Sequence, residues 1–213
     1  MRRMLFICLL VVCADTHGKA EWSQFRGPNG SGVASDAHPP VEFGPEKNLL
    51  WRLGMQSGHS SPIISGDSIF LTTFDKTRQR LSVVAIDRHQ GRIRWERPIA
   101  TKEIERGHPS FSPASSTPVT DGEYVIAYFG SFGLVCFDYD GNPMWEVPLP
   151  LAKSYAGNAI SPIIVGDKVI LYRGNFIDHF LLAVDKHTGQ EIWKVPQDEP
   201  FHAELACTAM PIV

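Results

Sequence analysis

Four stretches of this 213-residue chain carry the side chains best suited to chemistry: "QSGHSS" at 56–61, "ERGHPSFSPASS" at 105–116, "KSYAGNA" at 153–159 and "FHAE" at 201–204. Together they supply His59, His108, Tyr155, Asn158, His202 and Glu204. Imidazoles with a carboxylate and an amide could hold a metal or orient a polar ligand, if the fold gathered them at one mouth. The plainer reading is that these are polar loops whose histidines cap turns. Spacing alone sets no ligand distances, so no metal and no catalytic residue is assigned. Asp178 and His179 adjoin a surface hairpin, which makes a dyad there improbable. No G-x-S-x-G or HExxH occurs, and the Gly-rich stretch 27–32 lacks the strand-to-helix context of a phosphate loop.

What must position these loops is a repeat. Trp51, Trp95, Trp145 and Trp193 fall 44, 50 and 48 residues apart. Before each of the last three runs one order of events: a Ser/Thr-Pro opening ("SSPIISGD", "SSTPVTDG", "ISPIIVGD"), then two apolar, β-branched or aromatic runs, then a Gly-x3-Trp segment. The runs are of strand length and composition, and nothing shows a sustained helical period. The Gly-Asp pairs at 66–67 and 166–167 and the Asp-Gly pair at 121–122 predict tight hairpins. Four short strands in roughly 45 residues predict an all-β fold, a β-propeller of four-stranded antiparallel blades. The blades are expected at about 60–99, 115–149 and 160–197, with an outer strand at 49–54 and the start of a further blade at 206–213. Proline lacks a ladder donor, which suits the edge or start of an inner strand. Three blades do not close a ring, so the chain is expected to be the N-terminal part of a longer propeller, its other blades lying in the full-length chain.

The repeated phrase reads as architecture. In "AVDKHTGQEIW" (183–193) Asp185 opens a turn whose backbone N–H groups its carboxylate can accept, Gly189 takes a position of positive φ, and Trp193 wedges against a neighbouring blade. Asp87, Gly91 and Trp95 hold these places in "AIDRHQGRIRW", and Asp138, Gly141 and Trp145 in the shorter "CFDYDGNPMW"; Trp51 is a fourth such tryptophan.

Composition narrows the classes. The formal charge is −3 with Lys and Arg scattered, which argues against a nucleic-acid partner. Arg2 and Arg3, the apolar run Met4–Val12 and the small residues Gly18 and Ala20 predict a signal peptide over 1–20, exported by a Sec or twin-arginine route to the periplasm or cell envelope. After its removal no stretch is apolar enough to span a membrane as a helix. Residues 21–48 read as an extended N-terminal segment. Cys136 and Cys207 then remain, with no CxxC; Cys136, in "GLVCFD", reads as a buried free thiol.

The phrase resembles the tryptophan-docking motif A-x-D-x-x-T-G-x-x-x-W of the quinoprotein alcohol dehydrogenase-like propellers. Residues 22–213 as a whole resemble secreted pyrroloquinoline quinone (PQQ)-like repeat proteins, which often begin like "WSQFRGPNGSGV" (22–33) and carry "SSTPVTDG" and "FGSFGLVCFDYDG". The resemblance implies fold, because this motif sits on blade exteriors away from any cofactor. Dehydrogenases of this kind imply PQQ with calcium, a carboxylate base and a disulfide between adjacent cysteines. This chain has no adjacent cysteine pair, and no Glu/Asn/Asp cluster is read at its strand starts. The similar outer-membrane assembly propellers lack the quinone. The expectation is therefore an exported non-catalytic scaffold, binding an envelope protein or a ligand and needing no cofactor. The PQQ/calcium-dependent dehydrogenase is the alternative, and a glycan or peptide sensor a third reading.

Overall fold

The structure, a computed structural model, describes residues 21–35, 37–197 and 211. The signal-peptide, His202, Glu204 and Cys207 readings, and the strand expected at 206–213 apart from Pro211, lie outside the described residues.

Among the described residues, thirteen strands make three sheets. In the first blade β2 (Ile63–Ser65), β3 (Ser68–Asp75), β4 (Arg80–Asp87) and β5 (Ile93–Ile99) pair antiparallel in chain order. β6 (Val119–Thr120), β7 (Tyr124–Phe129), β8 (Gly133–Asp138) and β9 (Pro143–Pro148) form the second. β10 (Ile163–Val165), β11 (Lys168–Gly174), β12 (His179–Asp185) and β13 (Glu191–Pro196) form the third. This is the all-β propeller architecture that the repeat predicts, present as three blades. No helix among the described residues is long and apolar enough to cross a membrane.

The alternating residues of neighbouring blades build the core. Between the first two blades Phe70, Val83, Ala85, Val125, Ala127 and Val135 are all buried in one cluster. Between the second and third, Ile126, Tyr128, Leu134, Val169, Leu171 and Leu182 form another. Side chains on both faces of the middle blade are thus covered, which explains why β7 is buried at every position.

The inner strands are tied by a ladder of hydroxyls that the Ser/Thr-Pro openings encode. The residues before Pro118 and Pro162 supply it. Thr117 Oγ1 accepts the N–H of Ser61 at 3.0 Å, and Ser161 Oγ accepts the N–H of Thr117 at 3.0 Å. Each such proline stands one residue before its strand, at Pro62, Pro118 and Pro162, where its missing donor breaks no ladder bond.

Three features depart from expectation. Residues 49–54 form no strand, although Trp51 still lies on the first blade as the other tryptophans lie on theirs. The N-terminal segment is not wholly free: β1 (Glu21–Trp22) pairs antiparallel with β2 through Glu21↔Ser65 and Trp22↔Ile64, making the first sheet five-stranded. Ser23 O accepts the N–H of Thr120, so the segment bridges the inner strands of two blades. The Asp121-Gly122 hairpin is also longer than a two-residue turn, since Thr120 pairs with Val125.

Antiparallel order sends the β3–β4, β7–β8 and β11–β12 turns and the β5–β6 and β9–β10 loops to one end of the blades. The remaining hairpins occupy the opposite end. The first end is the mouth at which the candidate loops meet.

Candidate functional site

Backbone bonds draw the mouth loops together. His59 and Ser60 donate their N–H groups to Ala114 O, tying 56–61 to 105–116. Gly107 and Gly157 stand so close to Phe111 that a Cβ on Gly157 would sit 2.1 Å from its ring. The loops 105–116 and 153–159 therefore pack directly on one another.

The predicted residues separate into three groups. His108 and Tyr155 are brought together, ring centroids 6.0 Å apart, and His108 Nδ1 lies 2.8 Å from Ser110 Oγ, a turn contact. Tyr155 is 63% exposed. His59 is exposed and bonds through its backbone rather than its ring. Asn158 is buried, turned away from the histidines towards a carboxylate. Among the described residues no three His, Cys, Asp or Glu side chains assemble as a metal-ligating group.

That carboxylate is Glu105, and the pair lies in the β5–β6 and β9–β10 loops rather than at strand starts. Glu105 is 4% exposed; Asn158 Nδ2 donates to its Oε2 at 3.2 Å, and its own N–H donates to Ser131 Oγ at 3.0 Å. Its Oε1 and Asn158 Oδ1 have no hydrogen-bond partner among the described residues. Gly130 roofs the carboxyl: a Cβ there would meet Oε2 at 2.3 Å. Burial pushes the Glu105 carboxyl up to about 8, against the opposing pull of Asn158 and the positive Arg173. At neutral pH it is mostly a neutral acid.

Arg173, at the mouth end of β11, is itself fully buried. Its Nε lies 2.9 Å from Asp178 Oδ1, its guanidinium donates to Pro150 O, and it sits 5.8 Å from the centre of the Phe180 ring. Asp178 is thus the counter-ion of a buried arginine, while His179 Nε2 lies 2.6 Å from the Tyr172 hydroxyl. Glu105 was hidden in sequence because it opens a loop prized for its histidine. Arg173 was hidden because it closes a strand; its signal was a charged residue ending the apolar run "KVILYR".

Chemically, the Glu105–Asn158–Arg173 group ties three loops under backbone rather than facing a ligand. A quinone with calcium needs hard oxygen ligands open to a ring. Glu105 and Asn158 are only 4% and 1% exposed, so as arranged they offer little of that open sphere. What the mouth presents outward is different. A cleft of about 470 Å³ lies between Ile104, Leu151, Ala152, Tyr155 and Phe176, with Arg106 and Lys153 at its edge.

At the opposite end the repeated phrase acts on the backbone. Trp51, Trp95 and Trp145 donate their indole N–H groups to Arg88 O, Tyr139 O and Lys186 O at 2.8, 3.0 and 2.8 Å. Each ring lies on a glycine of the hairpin it reaches, Gly91, Gly141 or Gly189, all at positive φ. Asp87 Oδ1 accepts the N–H groups of His89 and Gln90, and Asp185 Oδ1 those of His187 and Thr188. These bonds, that from Gln90 foremost, hold the Asp87 carboxyl below its usual range. Cys136 is a buried free thiol whose ionisation burial pushes up.

A family model described as "Outer membrane protein assembly factor BamB" matches residues 15–195. No curated protein matches the sequence. Among solved structures, a europium-containing methanol dehydrogenase is similar at a TM-score of 0.53 and 16% identity, over 72% of this chain and 27% of that one. BamB from Moraxella catarrhalis is similar at 0.47 and 19% identity, over 68% and 38%. A quinohemoprotein alcohol dehydrogenase from Comamonas testosteroni gives 0.47 and 16%, over 69% and 23%. The chain therefore spans between about a quarter and two fifths of the length of these structures. At such identities the likeness is one of fold.

Proposed function

Because this chain belongs to the PQQ-like propeller family described as outer membrane protein assembly factor BamB, we propose that it is an exported, non-catalytic propeller working as an interaction scaffold in the cell envelope. The observation that carries this reading is the contrast at the mouth. Its ionisable group with the strongest potential for chemistry, Glu105, is roofed by Gly130 and bonded to Asn158, whereas its aromatic side chains face outward. Tyr155 and Phe176, 63% and 43% exposed, flank an apolar cleft with cations at its edge. Exposed aromatic rings that leave water on contact, beside charges that orient the partner, are the usual makings of a protein-binding hot spot.

The competing reading is the PQQ- and calcium-dependent dehydrogenase, whose fold this chain shares. The two separate in one assay on the full-length protein. With added quinone and calcium, the scaffold reading expects neither a bound-quinone absorption spectrum nor dye-linked alcohol oxidation. Appearance of both would replace it.

A further inference from the structure

Three clefts adjoin along the β5–β6 loop. The first, about 640 Å³, lies between that loop and the β3–β4 turn and is bordered by Lys76, Lys102, Arg106 and His108. The second is the Tyr155–Phe176 cleft. The third, about 470 Å³, runs past Phe132 and Pro148 to Leu149 and Leu151. Glu103 borders all three, Ile104 and Arg106 border the first two, and Leu151 the second and third, so they form one continuous groove.

The charge around this groove runs against that of the chain. The whole sequence is net −3, yet Lys76, Lys102, Arg106 and Lys153 line the groove against one exposed carboxylate, Glu103. Glu105, the other acid at its floor, is held mostly neutral by burial. Around the second cleft the lining is apolar except for Ser154 and the charged Glu103, Arg106 and Lys153. Ser154 is 8% exposed as a residue, and its hydroxyl oxygen is buried with no hydrogen-bond partner among the described residues.

We propose that this groove takes an extended acidic segment of a partner protein, with one apolar side chain seated between Tyr155 and Phe176. Carboxylates on either side of that side chain meet Arg106 and Lys153. A peptide suits the groove better than a bare polyanion, because the second cleft is built to dehydrate an apolar group between two cationic edges. The assignment rests on the scaffold reading and deepens it by naming the chemistry of the partner.

The test is fluorescence anisotropy with the full chain and a labelled peptide of about ten residues, with glutamates on either side of a central phenylalanine. Binding should weaken on adding salt, and should fall about tenfold when Arg106→Glu and Lys153→Glu are combined, since both side chains are exposed and their reversal turns attraction to repulsion. Tyr155→Ala should weaken it without removing the salt dependence. Replacing the glutamates by glutamine should abolish binding. The proposal is overturned if the acidic peptide does not bind, if its glutamine or lysine counterpart binds as well, or if only an anionic vesicle or an oligonucleotide binds. The quinone assay judges the scaffold reading separately, so either can fail while the other stands.

Discussion

The indole of Trp95, on the outer strand of the first blade, lies flat on Gly141, in the last hairpin of the second. Its Nε1 reaches Tyr139 O at 3.0 Å, and a Cβ on Gly141 would fall 2.6 Å from the ring. One contact thus joins two elements of different blades: a glycine at φ 82° and a tryptophan that only a glycine can admit. Trp51 on Gly91 and Trp145 on Gly189 repeat it.

Gly141→Ala should therefore destabilise the protein by about 2–4 kcal/mol, combining left-handed backbone strain with overpacking against the ring. Chemical denaturation checks this. Gly166→Ala is the control: it also has positive φ but meets nothing within 4 Å, so only the backbone cost remains.

The hydroxyl ladder makes a second, sharper case. Thr117→Val keeps shape but leaves the Ser61 N–H without its acceptor, at a cost of about 1–3 kcal/mol. Thr117→Ser retains the hydroxyl and should cost less than about 1 kcal/mol. A loss from Thr117→Ser with none from Thr117→Val would assign the effect to the methyl group rather than to the bond.

Glu105 predicts a pH dependence. Its carboxyl titrates near 4.5 when unfolded and at about 8 when buried, so the folded state holds the proton more tightly. Its contribution is fully present below pH 4.5 and is lost as pH rises through the window to about 8. Glu105→Gln keeps the shape and cannot ionise. Thermal unfolding should show the variant more stable than the wild type above pH 8 and close to it at pH 5. An advantage that does not grow with pH would contradict this account.

The propeller was legible because each blade is written in period: the proline openings, the paired strand runs and the Gly-x3-Trp segments fall where β2–β13 begin and end. The meeting of His108 with Tyr155 was also within reach, since both sit on loops that antiparallel order sends to one end. The Glu105–Asn158–Arg173 group was not, because it joins residues 53 and 68 positions apart in sequence through a glycine roof that no local pattern announces. β1 escaped for a similar reason. Two residues carry no periodicity, and their strand exists only because the inner edge of β2 offers a partner.

The central claim is that the mouth is a contact surface. It is tested most directly by placing a photoreactive residue at Tyr155 in the full-length protein within its native host cell, with Asp140, exposed at the opposite end, as the comparison site. Illumination should give a discrete cross-linked protein from position 155 and none from position 140. No adduct from 155, or the same adduct from both positions, would contradict the account.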